Sequence, residues 1–66
     1  MLKRVIDVKI GDTVTLFDEA SSRPMVKVIN DVQQTRDQVG NVILTFNGGN
    51  QVLPGINQVE VANFYA

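Results

Sequence analysis

Apolar and polar side chains alternate along most of this chain. Ile6, Val8 and Ile10 enclose Asp7 and Lys9; Val14 and Leu16 stand between Thr13, Thr15 and Phe17; Val26 and Val28 flank Lys27; Val42, Leu44 and Phe46 alternate with Ile43 and Thr45. A period of two belongs to a strand with one face turned inward, and no window repeats at helical spacing. The pattern predicts strands over residues 6–10, 13–17, 25–32, 42–46, 51–53 and 59–61. In the third, Val26, Val28 and Val32 are placed inward and Lys27, Ile29 and Asp31 outward.

The residues between these segments agree with that reading. Gly11-Asp12 favours a turn, with Asp12 bonding nearby backbone. Residues 18–24 are polar and closed by Pro24, which cannot donate to a central ladder, so they predict a loop. Residues 33–40 are either a loop or the continuation of two twisted strands that meet in a hairpin near 37–41. Asn47-Gly48-Gly49-Asn50 supplies positive-φ positions for a tight hairpin. Pro54-Gly55 breaks the fifth strand. A turn of 3₁₀ helix at 54–57 is the only helical element expected, with Ile56 capping one end of the core.

Composition narrows the architecture. Val and Ile supply 16 of the 66 residues and Thr four more, side chains that pack better on a pleated surface than on a helix. So short a chain cannot build a two-sheet sandwich, but five or six short strands can make a strongly bent sheet that closes on itself and hides its edges. The expected fold is all-β, a single small barrel over residues 1–66. Its inward set is Ile6, Val8, Ile10, Val14, Leu16, Val26, Val28, Val42, Leu44, Phe46, Val52, Val59 and Val61. Such a core is small for independent stability. Phe17, Met25, Ile29, Ile43, Leu53, Phe64 and Tyr65 are left over. They are either singly exposed residues or a subunit interface formed by edge strands and the aromatic C-terminal residues 63–66, and the second reading predicts a homo-oligomer.

Charge and chemistry exclude much. With no Cys and no His there is no disulfide, thiolate nucleophile or imidazole base, and no metal or other cofactor is expected. Asp18-Glu19 reads as a solvated pair. The Asn47-Gly48-Gly49-Asn50 turn precedes a strand, so it lacks the helix N-terminus of a phosphate-binding loop. The chain is therefore expected not to be an enzyme. No apolar run is long enough for a membrane span and no signal peptide is evident, so a cytoplasmic, non-membrane protein is expected. The net charge of -1 and pI near 5.0 give no global attraction for nucleic acid; any such partner must meet a local patch.

Met25-Val26-Lys27-Val28-Ile29-Asn30-Asp31, followed by Val42-Ile43-Leu44, is an apolar strand leading into an amide and an acid and then a second apolar strand. Val52-Leu53-Pro54-Gly55 with Val59 and Val61 sets a Gly before a closing strand. In this order the chain resembles SH3-like barrels, and within them the Sm-like family of ring-forming RNA-binding proteins, as well as small barrels from bacteriophages. Pro54 stands where the Sm-like family has a basic residue, and a strand pattern replaces that family's N-terminal helix. The resemblance implies a ring that binds single-stranded RNA or DNA. The candidate phosphate contacts are Lys3, Arg4, Lys9, Arg23, Lys27 and Arg36, repeated by symmetry; Asn30 and Asn50 suit base edges, and Phe17 and Tyr65 suit stacking. The alternative is a structural or protein-interaction module that meets another protein through an edge strand.

Overall fold

The computed structural model describes residues 1–38 and 40–62. These form one antiparallel sheet of six strands: β1 (Leu2–Arg4), β2 (Thr13–Asp18), β3 (Arg23–Gln34), β4 (Asn41–Phe46), β5 (Gly49–Pro54) and β6 (Gln58–Val61), in the spatial order β1-β6-β2-β3-β4-β5. The fold is all-β, as the alternation predicts. The sheet is strongly bent and barrel-like without closing. No helix among the described residues is long and apolar enough to cross a membrane. Val39, Phe64 and Tyr65 lie outside the described residues, and with them the expected interface of the C-terminal segment.

The bend is made in β3, whose twelve residues serve two partners. Its first half pairs with β2, from Asp18↔Arg23 to Thr13↔Val28, and its second half with β4, from Ile29↔Phe46 to Gln34↔Val42. Between Ile29 and Asp31 the register shifts, so Asn30 is an extra residue, and such a bulge turns the strand. At the corner the Ile29 N–H donates to the Asp12 carbonyl at 2.9 Å and the Ile29 carbonyl accepts from the Gly11 N–H at 2.8 Å. The buried Asp12 carboxylate accepts from Lys3 Nζ at 3.1 Å and from the Lys9 N–H at 3.0 Å. A paired and hydrogen-bonded carboxylate can be buried where an isolated one cannot.

The core is Val5, Val8, Val14, Leu16, Ile29, Val42, Leu44, Phe46, Val59 and Val61, with Met25, Val32 and Leu53 packed against it. Three parts of the expected inward set are corrected. Residues 6–10 are not a strand: Val5–Asp7 form a 3₁₀ turn closed by Val8 N–H to the Val5 carbonyl at 3.1 Å. Residues three apart share a face on such a turn, so Val5 and Val8 go in while Ile6 and Ile10 go out. In β3 the faces are reversed up to the bulge, leaving Val26 and Val28 exposed and Ile29 fully buried. In β5 Leu53 turns inward and Val52 outward, because Val52 stands opposite the outward Ile43.

Pro24 lies inside β3 rather than in a loop, and residues 33–40 take the hairpin option, with β3 running on to Gln34. The β4–β5 turn falls where the glycines predict it, with Gly48 at φ 103°. At 54–57 only a turn forms, closed by Asn57 N–H to the Pro54 carbonyl at 3.0 Å, and Ile56 is 81% exposed rather than capping the core. That turn is tied to the start of the chain: the Val5 N–H donates to the Asn57 carbonyl at 2.7 Å and the Ile6 N–H to the Gly55 carbonyl at 3.1 Å. A side chain at Gly55 would meet the Gly40 carbonyl oxygen at 2.9 Å, so only glycine fits this approach.

The reversed faces predict that Ile29→Ala costs about 3 to 4 kcal/mol of unfolding free energy while Val26→Thr costs under about 1 kcal/mol, checked by urea titration at low protein concentration. Asp12→Ala strips the corner of its acceptor and leaves the half-buried Lys3 without its anion. It is expected to cost about 2 to 4 kcal/mol in the same titration, far more than loss of the exposed Arg4–Asp7 pair at about 0 to 1 kcal/mol.

Candidate functional site

Lys27 occupies an inward, half-buried position because of the reversed face of β3, and its Nζ stands 5.7 Å from the centre of the Phe46 ring, a cation–π contact. Together with Asp18, Met25 and the β4–β5 hairpin it lines an open groove at one end of the barrel, into whose wall Asn47, Asn50 and Gln51 bring amide groups. A second opening, the seam between the end of β2 and β5, is lined by residues 17–20 and 50–52 and holds the acids Asp18 and Glu19 with no cation.

Main-chain alternation explains the seam. The Thr13 carbonyl accepts the Ala62 N–H at 2.9 Å, so Thr13, Thr15 and Phe17 turn their main chain toward the β6 side of β2. Pairing with β6 reaches only Thr15↔Glu60. Beyond it, the Phe17 carbonyl is taken by Gln51 Nε2 of β5 at 2.7 Å, a side chain bridging two strands that are not paired.

The same alternation leaves an edge on β3. Val14 and Leu16 turn their main chain toward β3, and their partners Lys27 and Met25 turn back to meet them. Pro24, Val26 and Val28 therefore point the other way, where β4 pairs only from Ile29 onward. Pro24 has no N–H to leave unpaired there, which is why a proline is tolerated inside this strand. On the outer face, Phe17, Val26 and Val28 are 56%, 65% and 54% exposed, with Thr15 directly opposite Val26 and Thr13 opposite Val28.

The cations expected at a nucleic-acid site lie apart. Lys3 is held by Asp12, and Arg4 Nε reaches Asp7 Oδ2 at 3.2 Å. Lys9 precedes β2, Arg23 opens β3 and Arg36 lies in the β3–β4 loop, all exposed. In that loop the Asn41 N–H above all, against a smaller opposing desolvation and helped by Thr35, Gly40 and the Asn41 amide, holds the Asp37 carboxyl below its ordinary value. Asn30 is the exposed extra residue of the bulge. Asn50 lines both openings, Phe17 stands at the lip of the seam, and Tyr65 lies outside the described residues. Of the expected set, Lys27, Asn50 and Phe17 come together. Asp18, Met25 and the Gln51 bridge join them without any signal in the local sequence, since the bridge spans 34 residues.

Comparison with protein-family models, curated proteins and solved structures returns no match to this chain.

Gln51→Ala removes the donor that satisfies the Phe17 carbonyl. It is expected to lower stability by about 1 kcal/mol, whereas Asn50→Ala, at the neighbouring exposed position, leaves stability within about 0.5 kcal/mol; parallel urea titrations check both.

Proposed function

We propose that this chain is a non-enzymatic interaction module, a small SH3-like barrel that works as a homo-oligomer and can offer an edge strand to another protein. The observation that carries the reading is the outer face of β2 and β3, where Phe17, Val26 and Val28 are all more than half exposed and stand on adjacent strands. Burying an aliphatic or aromatic side chain contributes roughly 1.5 to 3 kcal/mol. A 66-residue domain with so small a core gains proportionately more from such burial than a large one. Kinship with SH3-like barrels is supported by the return of the last strand beside β2 and by the long bent strand shared between two halves of the sheet. Light scattering over a range of concentrations tests the reading. The expected mass at tens of micromolar exceeds the 7.3 kDa of one chain, and a mass of 7.3 kDa throughout would overturn it.

A second reading, Sm-like binding of single-stranded nucleic acid, is favoured by the convergence of Lys27, Asn47, Asn50 and Gln51 on one groove with Phe17 at the neighbouring lip. Symmetry would repeat that Lys27 and the exposed Lys9, Arg23 and Arg36 around an assembly. Fluorescence anisotropy with labelled oligo-U at two salt concentrations tests it. Under this reading affinity falls with salt, and Lys27→Ala weakens binding and lowers the salt slope by about one. Absence of binding below roughly 100 micromolar at low salt removes it.

A further inference from the structure

We infer that two copies of this chain pair through the open edge of β3, antiparallel about a two-fold axis at Val26, so that Val26 faces Val26 of the second copy. The inference rests on the interaction-module reading and names the edge, the partner and the register.

The available edge is short. Its main-chain groups belong to Pro24, Val26 and Val28, and the bulge at Asn30 ends it. A longer strand from another protein would run past Pro24 at one end and into the corner at the other. The same five-residue segment, turned antiparallel, fits both limits. With Val26 on the axis, each Val26 N–H meets the opposite Val26 carbonyl and each Val28 N–H meets the opposite Pro24 carbonyl, so every donor that the two edges possess finds an acceptor. The donor that Pro24 lacks is the only bond missing at each end. A strand edge left open invites association, and this arrangement closes it.

Side chains select the register. Centring the axis on Val26 sets Val26 against Val26 and Val28 against Pro24 on the outer face, apolar pairs of the kind that stabilise neighbouring strands. On the inner face it sets Lys27 against Met25. Moving the axis by one residue would oppose Lys27 to Lys27, a like-charge pair, and that register is disfavoured. The groove beside this edge carries one anion, Asp18, and one cation, Lys27. Joining two such grooves across the axis brings opposite charges together with no net excess in either. A two-fold contact of this kind is isologous and closed, so it ends at the dimer through this edge.

Charge substitutions at the axis test it. Val26→Lys and Val26→Glu each place like charges face to face across the two-fold, on an exposed side chain whose loss leaves the β2–β3 ladder intact. By light scattering the wild type is expected at twice 7.3 kDa or a multiple of that dimer, and each variant alone at half the wild-type mass, with unchanged far-ultraviolet circular dichroism. An equimolar mixture of the two variants then restores the wild-type mass, because Lys faces Glu. Val26→Pro, which removes only the edge donor, is expected to weaken association at least tenfold. Variants that stay associated, or a mixture that fails to restore association, overturn the β3 pairing while the oligomeric wild type leaves the broader reading standing. A wild type that is monomeric throughout overturns both.

Discussion

A twelve-residue strand can serve two halves of one sheet only if it turns between them, and at the turn its main chain must still find partners. In β3 the turn falls at Ile29, and Gly11 and Asp12 supply both partners from outside the ladder. The Asp12 side chain is drawn into the interior by this geometry and is made tolerable there by Lys3 and by the Lys9 N–H. Lys3 in turn sits on β1, so the pair that stabilises the corner also fastens the first strand to it. Corner, buried carboxylate and β1 are thus one cooperative arrangement, and Ile29, fully buried at its centre, links it to the aliphatic core.

The alternation of Val42, Leu44 and Phe46, the glycine turn after them and the alternation of Val59 and Val61 were legible because each lies on a strand with one plainly apolar face. Residues 25–32 were not, because both phases carry apolar side chains and the bulge changes phase midway. Ile29 and Val32 are three apart and would face opposite ways on a regular strand; the extra residue Asn30 lets both turn inward. Placing Lys27 inward is acceptable because its ammonium reaches the groove and the Phe46 ring while its stem lies along apolar surface. Residues 5–8 misled for a related reason. Ile6, Val8 and Ile10 imitate a strand, while the buried pair is Val5 and Val8 at the spacing of a 3₁₀ turn.

Charge was legible as composition and illegible as arrangement. Six cations in the sequence say nothing of which are spent inside the fold, and the structure commits Lys3 to Asp12 and sets Arg4 beside Asp7. The seam could not be read either. It arises where β6 stops pairing with β2 at Thr15, a consequence of where β6 diverges to meet β1, and the Gln51 bridge that spans it depends on the curvature of the whole sheet.

These features share a cause in size. Ten buried apolar side chains among the described residues leave no room for a second layer, so the outer face of the sheet has nothing of its own chain to rest on. β-Branched residues there raise the tendency to form strands, and hydrophobic contact on that face can be gained only from another molecule. The bend that makes one small core also divides β3 between two partners and strips its first half of one neighbour. The exposed valines and the unpaired main chain therefore coincide on β3 for a geometrical reason: both follow from wrapping one short sheet around a core too small to fill it.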